Sequence, residues 1–480
     1  MKSKLVFLLL IASTAFCYAQ KKPKINANKK AVIASVDEKY AQLTALSDKI
    51  WAHAELAFRE TKSAADLIAY AEKNGLRVTK NVAGIPTAFT AEFGEGKPVI
   101  GILGEFDALP GLSQKAQPTK EPVVAEAPGQ GCGHNMFGVA SLGAAIAIKE
   151  LIEAGKLKGT VRFYGTPSEE RFFGKLWMIR EGAFEDVDIC MDWHPGDETK
   201  AAVQSSLSLV DFIVEFYGAT SHASGDPWRG RSASDALELY SSGINYYREH
   251  VKPTVRMHYQ IQDAGKAVNI VPDYARIWVR IRDTKREGMT KVWKHVERMA
   301  EGAAIMANVE HKVTLVSGLH EILVNRTGGA RLQKNLEYLG DIEYTEEEQT
   351  FAKNLQKTLG KEQVGIASKI EPMEETLEHP GGGSTDAGDV SWVVPTIRLS
   401  ATTAPKDTPW HSWAVVACGG MSIGHKGMGY AAKALSMTMV DLFEDAKLRQ
   451  AVIDEYKERK GDYVYKGIVP DGPPPLDYKN

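Results

Sequence analysis

Residues 159–170 read GTVRFYGTPSEE, a run of β-branched and aromatic residues that stops at Gly165-Thr166-Pro167 and delivers two adjacent carboxylates, Glu169 and Glu170. The run predicts a buried strand, and the turn residues predict where it ends. In open α/β sheets, ligands bind beyond the carboxyl ends of the strands. This stretch therefore predicts an α/β fold with a functional site at one edge of its sheet.

Polar side chains of the kinds that bind metals follow three other predicted strands or lie between them. VIGILGEFDALP leads to Asp107, DVDICMDWHPG leads to His194, and SWVVPTIRLS leads towards PWHSW with His411. Between the first two lies GQGCGHN, which contains Cys132 and His134. Thiolate, imidazole and carboxylate are ligands of transition metals. We expect these side chains to converge at one sheet edge.

Each of these residues also has an ordinary structural interpretation. A lone cysteine such as Cys132 is usually buried and inert. Asp107 suits a turn, and Glu169 and Glu170 suit the first turn of a helix capped by Ser168. One residue separates Cys132 from His134, so an extended backbone would direct both side chains to the same side. Their occurrence together at neighbouring strand ends favours the site.

The first twenty residues, MKSKLVFLLLIASTAFCYAQ, combine early lysines, a short apolar stretch and small residues. This pattern predicts a signal peptide over residues 1–19 and export to the periplasm or the medium. The apolar stretch is too short to span a membrane, and no later segment has about 18 uninterrupted apolar residues. Cleavage would leave only Cys132, Cys190 and Cys418, too few to predict a disulfide framework.

Length and charge limit the classes of function. The 480 residues exceed one typical domain. With 58 basic and 61 acidic residues, the net charge is -3, which gives no electrostatic footprint for nucleic acid. We expect the partners to be small molecules or other copies of the chain.

The hydrophobic pattern changes after residue 204. The predicted elements are strand 207–217, helix 233–247, strand 254–262, strand 274–282, helix 289–306 and strand 311–316. This β-α-β-β-α-β order is that of a ferredoxin-like domain. We expect a catalytic domain formed by residues 30–204 and 325–462, interrupted by this inserted domain at 205–324 and followed by a proline-rich tail at 463–480.

Eight motifs, in order from about residue 35 to 460, resemble those of the metallo-amidohydrolases and peptidases that include aminoacylases, carboxypeptidase G and hippurate hydrolase. They are GEFDALP, GQGCGHN, GTPSEE, DWHPG, GATSHASGDPWRGRSA, NIVP, GSTDAGDVSWVVPT and TPWHSW. The resemblance implies a two-domain fold, a centre of two divalent metal ions, Mn²⁺ or Zn²⁺, and hydrolysis of an amide bond. It also implies that the inserted domain acts as a lid and forms a homodimer interface.

The resemblance implies a role for individual residues. Glu169 would be the general base and Asp107 would support the metal ligands. The ligands implied are Cys132, His134, Glu170, His194 and His411. Glu105 stands where the zinc aminopeptidase branch has a metal-binding histidine, a departure that favours the cysteine-type site.

Three lid residues have implied roles towards the substrate. His222 would stabilise the carbonyl oxygen in the transition state, commonly from the partner subunit, although a lone histidine in a loop is usually a solvated surface residue. Asn269 would contact the carbonyl. Arg282 would bind a free carboxylate, for which a planar guanidinium is suited. An ordinary surface arginine on a strand is an equal interpretation of Arg282, because the neighbouring Arg280 could take its place in the register.

Some polar residues of the last third compete with these assignments. His425 could replace His411 but also suits the start of a helix, and His379 has no assigned role. Asp386 and Asp389 follow Ser-Thr, an ordinary turn sequence, and stay outside the ligand set.

The implied reaction has Glu169 deprotonating a water that attacks the amide carbonyl. The implied substrate is an N-acyl amino acid such as p-aminobenzoyl-glutamate. The alternatives are an exported dipeptidase and a non-catalytic subunit that works with a homologous partner chain.

Overall fold

The computed structural model describes residues 25–375, 380 and 382–478; the expected signal peptide and His379 lie outside them. Helices and strands alternate along most of the chain. In order they are α1 (Ala27–His53), α2 (Thr61–Lys73), β1 (Arg77–Lys80), β2 (Phe89–Gly94), β3 (Val99–Gly104), α3 (His134–Glu153), β4 (Thr160–Gly165), α4 (Gly174–Arg180), β5 (Ile189–Gly196), β6 (Lys200–Ala201), β7 (Ser208–Tyr217), α5 (Ala233–Tyr247), β8 (Arg256–Asp263), β9 (Tyr274–Asp283), α6 (Arg286–Ala307), β10 (Glu310–Leu319), α7 (Arg326–Leu339), α8 (Glu346–Thr358), α9 (Ala387–Val393), β11 (Thr396–Thr402), α10 (Trp413–Gly419), α11 (Ser422–Glu444) and α12 (Ala446–Lys460).

The larger sheet has seven strands in the order β1-β2-β4-β3-β5-β11-β6. Its four central strands run parallel, and the strands outside them pair antiparallel. The chain passes from β3 to β4 on one side and then crosses to β5 on the other, which makes the space beside β3 a topological switch point. The predicted α/β class is confirmed, and the segments after the parallel strands meet at one edge.

Helix α3 is the central helix of the core. Nearly all its residues are buried because it packs between the parallel strands and the helices α1 and α11. Among the described helices, it alone is long and apolar enough to cross a membrane by length and composition, but most of it is buried inside the protein. Its N-terminal part lies close to the end of β3, with Gly138 against the carbonyl oxygen of Glu105.

The smaller sheet, which we call the lid sheet, has the order β10-β7-β9-β8 with every pair antiparallel. Apolar residues of its strands pack against α5 and α6 in a core of their own. The expected β-α-β-β-α-β order is confirmed. The exact limits of the domains stay predictions.

The segment after α12 contacts two separate parts of the protein. Ile468 pairs with Gly318 of β10, and its carbonyl oxygen accepts the Gly318 N–H at 2.7 Å. Further on, the Tyr478 ring packs against Phe172, with ring centroids 4.7 Å apart, and its hydroxyl donates to the carbonyl of Ala57. The tail therefore contacts the lid sheet and the segment that follows β4.

The close approach of α3 to β3 predicts opposite effects for two Gly→Ala substitutions in helices. A Cβ at Gly138 would lie 2.7 Å from the carbonyl oxygen of Glu105. We expect Gly138→Ala to lower the free energy of unfolding by about 1–3 kcal/mol through overpacking. In α6, a Cβ at Gly302 meets nothing within 4 Å, so Gly302→Ala should raise it by about 0.5–1 kcal/mol. Urea unfolding of the metal-free chains measures both, and shifts of the same sign would contradict the contact argument.

Candidate metal centre

The five expected ligands come together as two overlapping sets. The ligand atoms of Cys132, His134 and His194 lie within 4.8 Å of one another, and so do those of Cys132, Glu170 and His411. Cys132 Sγ is 3.4 Å from His194 Nε2, and His411 Nε2 is 3.4 Å from Glu170 Oε2. Because Cys132 belongs to both sets, its sulfur can be shared by two metal ions.

A tight turn, instead of an extended segment, brings Cys132 and His134 together. Gly133 has φ +81°, in the left-handed region that favours glycine, and His134 is the first residue of α3. The expectation of an extended backbone here was wrong, since the chain turns into the helix between the two ligands. On the other side of the centre, the backbone N–H of His411 donates to the Gly131 carbonyl at 3.1 Å.

The two glutamates also lie in a turn. Ser168 has φ +66°, and α4 begins only at Gly174, so neither Glu169 nor Glu170 occupies the first turn of a helix. The buried Glu60 accepts the Ser168 N–H at 2.9 Å and the Thr87 hydroxyl at 3.1 Å. Glu60, which no sequence motif singles out, therefore holds the turn that presents both carboxylates.

Asp107 links two ligand-bearing segments. Its Oδ1 accepts from His134 Nδ1 at 3.0 Å, and its Oδ2 accepts the backbone N–H of Glu170 at 2.9 Å. The first bond places the proton on Nδ1 and leaves the Nε2 lone pair free, which is the usual way a carboxylate orients a metal-binding histidine. The geometry agrees with the supporting role expected for Asp107.

A buried ionic triad lies beside the centre and was missed in the sequence. Lys175 Nζ is 2.6 Å from Glu105 Oε1 and 2.5 Å from Asp386 Oδ1, and all three side chains are at most 1% exposed. The other oxygen of Glu105 is 3.1 Å from His134 Nε2. Glu105, His134 and Glu169 form a third group of closely spaced potential ligands. The one sequence signal was a lysine within the apolar segment FFGKLWM.

The donor atoms fit a metal ion. Glu105 Oε2, His134 Nε2 and Glu170 Oε1 are buried, and none has a hydrogen-bond partner among the described residues. Unpaired buried polar atoms are costly, and two of these, Glu105 Oε2 and His134 Nε2, lie 3.1 Å apart. Thiolate, imidazole and carboxylate donors around such a space match the ligand chemistry of Zn²⁺ or Mn²⁺.

The electrostatics of the metal-free centre reflect burial of like charges. Burial raises the pKa of Glu169 well above its ordinary value, and Glu105 and Glu170 add to the rise. Burial also raises the pKa of Glu170 to about 7, while it lowers that of His194 to about 4. His194 is therefore neutral near pH 7, the form that binds metals.

In the lid, His222 is oriented by its own loop. Its Nδ1 accepts the backbone N–H of Ser224 at 3.2 Å and of Gly225 at 3.0 Å. The ring proton must then sit on Nε2, which can donate. The Asn269 carbonyl accepts the Ala223 N–H at 3.0 Å, so both expected substrate-contacting loops lie together. Among the described residues, neither His222 nor Asn269 has a side-chain hydrogen bond or ion pair to a proposed metal ligand.

The register of the lid sheet separates Arg280 from Arg282. Arg280 lies opposite Asp211 and binds it bidentately, at 2.7 and 2.6 Å. Arg282 Nε is buried and has no hydrogen-bond partner in the described part of the chain. Three causes lower the pKa of His411: burial has the largest effect, followed by the charge of His134 and then by that of Arg282. Arg282 is therefore the guanidinium that is available next to the centre.

The competing residues are engaged elsewhere. His425 lies inside α11, which begins at Ser422, so it does not cap the helix. Its Nε2 is 2.8 Å from Asp48 Oδ1. Asp389 binds His320 Nδ1 at 2.8 Å. These contacts support leaving His425 and Asp389 outside the ligand set. Asp386 is also engaged, because it belongs to the ionic triad with Lys175.

Asp107→Asn should weaken metal binding. An asparagine can accept from His134 or from the Glu170 N–H, but its NH₂ group cannot accept the other bond. We expect metal affinity to fall about 10–100-fold, measured by competition with a chromophoric chelator. Asp211→Asn, a buried carboxylate of the lid sheet, is the matched control and should leave affinity unchanged. Equal affinity in Asp107→Asn and wild type would contradict the orienting role.

Lys175→Met should destabilise the chain strongly, because it leaves two buried carboxylates without their cation. Removing one partner of a buried ion pair costs about 3–5 kcal/mol. Lys433→Met is the control, since Lys433 pairs at the surface with Asp37, whose side chain is 56% exposed, and such pairs contribute less than about 1 kcal/mol. Urea unfolding of both variants checks this, and equal losses would show that the triad is not stabilised by Lys175.

Comparisons with known proteins agree with this fold. Residues 101–414 match the model of peptidase family M20/M25/M40. The chain is 37% identical over 465 residues to one of the p-aminobenzoyl-glutamate hydrolase subunits of Escherichia coli strain K12, covering 91% of this chain and 96% of that one. It is 29% identical to mouse Xaa-Arg dipeptidase, covering 89% and 92%.

A solved structure is similar in fold. It is a Bacillus subtilis protein described as a dinuclear metal-binding peptidase of the M20 family, with a TM-score of 0.57, 19% identity and coverage of 85% of this chain and 99% of that one. The resemblance predicted from the motifs is confirmed. The chain belongs to peptidase family M20/M25/M40 and is a metal-dependent hydrolase of amide or peptide bonds.

Proposed function

We propose that this chain hydrolyses the amide bond of an N-acyl amino acid, and that p-aminobenzoyl-glutamate is a substrate. The observation that carries the proposal is the placement of Glu169 beside two sets of ligand atoms that share Cys132. The name of the E. coli relative supports this choice of substrate.

The residues assigned to bind the metal ions follow from the geometry. One ion would be held by Cys132, His134 and His194, and the other by Cys132, Glu170 and His411. When bound, two divalent ions would polarise the amide carbonyl and make water more acidic. Cysteine and histidine suit Zn²⁺, and the carboxylates also admit Mn²⁺.

The protein residues supply the proton transfers and orientation. Glu169 would take a proton from the attacking water and return it to the leaving nitrogen, which is the role of a general base and acid. Its surroundings are buried, so bulk water does not compete for the proton. Arg282 would bind the free carboxylate of the substrate bidentately.

His222 would stabilise the carbonyl oxygen by donating from Nε2. Because its hydrogen bonds lie within its own lid loop, we propose that it completes the site of a second subunit in a homodimer joined through the lid. Export to the periplasm or the medium belongs to the same proposal and rests on the pattern of residues 1–19.

Two alternatives have support from relatives. The similarity to Xaa-Arg dipeptidase favours a dipeptidase. The E. coli relative is named as one subunit of its hydrolase, and a 25% identical Haemophilus influenzae relative is named as a homologue of a different one, which favours a hetero-oligomeric hydrolase. A complete ligand set with Glu169 argues against an inactive member of such an assembly, because a purely structural subunit needs no base.

Glu169→Gln tests the proposal. We expect kcat towards p-aminobenzoyl-glutamate to fall about 10²–10⁴-fold, since general acid–base catalysis contributes this much, while metal content by plasma mass spectrometry stays at the wild-type value. Glu346→Gln, on the exposed start of α8, is the control. Wild-type activity in Glu169→Gln would rule out the mechanism. No hydrolysis by the wild-type chain after loading with Zn²⁺ or Mn²⁺ would favour the non-catalytic subunit.

Mixed dimers test the contribution of His222 across subunits. Alone, His222→Ala should lose about 10²–10³-fold in kcat. A hybrid of one Glu169→Gln and one His222→Ala protomer, isolated through two different tags, contains one complete site of two and should recover about half of wild-type activity. An inactive hybrid would contradict a site shared between subunits.

A further inference from the structure

One face of the lid sheet is basic, and we call it the basic face. Along β9, alternate residues pack against α5 and α6, and the residues between them point to the opposite side. The basic side chains on that side of β9 and β8 are Arg256, His258, Arg276, Arg280 and Arg282.

The charges of the basic face are neutralised unevenly. Asp211 of β7 pairs with Arg280, and Glu215 lies opposite Arg276. At the other end, Arg256 lies directly opposite Arg282, and neither forms an ion pair within the residues that the structure describes. Arg256 Nη1 donates to backbone carbonyls, including that of Val255 at 2.9 Å, which orients the guanidinium but leaves its charge unpaired.

The unpaired end has a positive field. His258, on the same face, has a lowered pKa because of burial first, then of the charges of Arg282, Arg248, Arg280 and Arg256. Likewise, burial and Arg280 lower the pKa of Arg282. Asp211 offsets part of this charge, but it is engaged by Arg280, and the positive charge that remains at Arg256 and Arg282 favours binding of an anionic ligand.

This end of the basic face lies next to the metal centre. Leu209 is the β7 neighbour of Arg282, and it packs with Phe173 and Leu176, which follow the turn of Glu169 and Glu170. Arg282 is therefore on the side of the lid sheet that faces the turn of the two glutamates, and Arg256 is its cross-strand neighbour.

An N-acyl amino acid has one free α-carboxylate, for which one guanidinium is enough. Arg256 and Arg282 are directly opposed across two antiparallel strands, where side chains are about 5 Å apart at Cβ. Two guanidinium groups at this spacing match two carboxylates on one amino acid. A cationic side chain, as in a dipeptide that ends in arginine, would meet like charge.

Building on the proposed function, we propose that the site selects amides of acidic amino acids, with Arg282 binding the α-carboxylate and Arg256 binding the side-chain carboxylate. The specificity for the amino-acid moiety then comes from the lid sheet and not from the metal centre.

The test compares p-aminobenzoyl-glutamate with p-aminobenzoyl-glutamine, which has nearly the same shape and one negative charge less. For the wild-type chain we expect kcat/KM to be about 10–100-fold higher for the glutamate compound, as for one charge-assisted hydrogen-bonded contact. Arg256→Gln should reduce this ratio to near one by lowering kcat/KM for the glutamate compound alone. Arg256→Lys, which keeps the charge, should retain most of the ratio.

Two further variants separate the roles. Arg282→Gln should lower kcat/KM for both substrates, because both carry the α-carboxylate. Arg298→Gln removes an exposed charge from α6, on the helix side of the lid, and should change neither substrate. Inhibition by free glutamate relative to free glutamine provides a second measurement of the same preference and should be lost in Arg256→Gln.

The outcomes distinguish the two proposals. Equal hydrolysis of both substrates by the wild-type chain, or an unchanged ratio in Arg256→Gln, would overturn the selection of acidic side chains while leaving amide hydrolysis in place. Hydrolysis of neither substrate by the metal-loaded chain would overturn the proposed function itself, and the selection of acidic side chains with it.

Discussion

Mutual repulsion among buried carboxylates is the constraint on which the rest of the structure depends. The carboxyl edge of the parallel strands collects Glu105, Asp107, Glu169, Glu170 and Asp386, and all but Glu170 are buried residues. Burying like charges is unfavourable unless each is paired, protonated or bound to a metal. Lys175 contributes one positive charge, and divalent ions would supply the remainder. The fold must therefore hold these groups rigidly before any ion binds.

That rigidity comes from contacts that surround the ligands. Asp107 joins the end of β3 to the first turn of α3 and to the Glu170 backbone. Glu60, at the start of α2, holds the Ser168 turn from outside. Because separate elements contribute to each ligand position, the centre is fixed by the whole catalytic sheet, as sites that bind metals with defined geometry require.

Much of this could be predicted from the sequence, for a physical reason. Parallel strands end at a common edge, so polar residues after each strand were expected to meet, and Cys132, His134 and His194 do. The order of strands and helices in the inserted domain could be predicted from the alternation of apolar residues in its strands and their helical periodicity in its helices. The triad of Glu105, Lys175 and Asp386 could not be predicted, because ion pairs between distant segments leave no periodic signal. The choice between Arg280 and Arg282 likewise needed Asp211, a residue on a neighbouring strand about 70 positions away.

The C-terminal tail also connects the lid sheet to the segment that carries the two glutamates. Ile468 is hydrogen-bonded to the edge strand β10, and ten residues later Tyr478 packs on Phe172, two residues after Glu170. The chain between these two anchors is short and rich in proline, so it has little slack. A rotation of the lid sheet away from the centre must therefore break one anchor or pull on the turn that carries the two glutamates. With both anchors in place, the C-terminal segment would limit how far the lid sheet could move away from the centre.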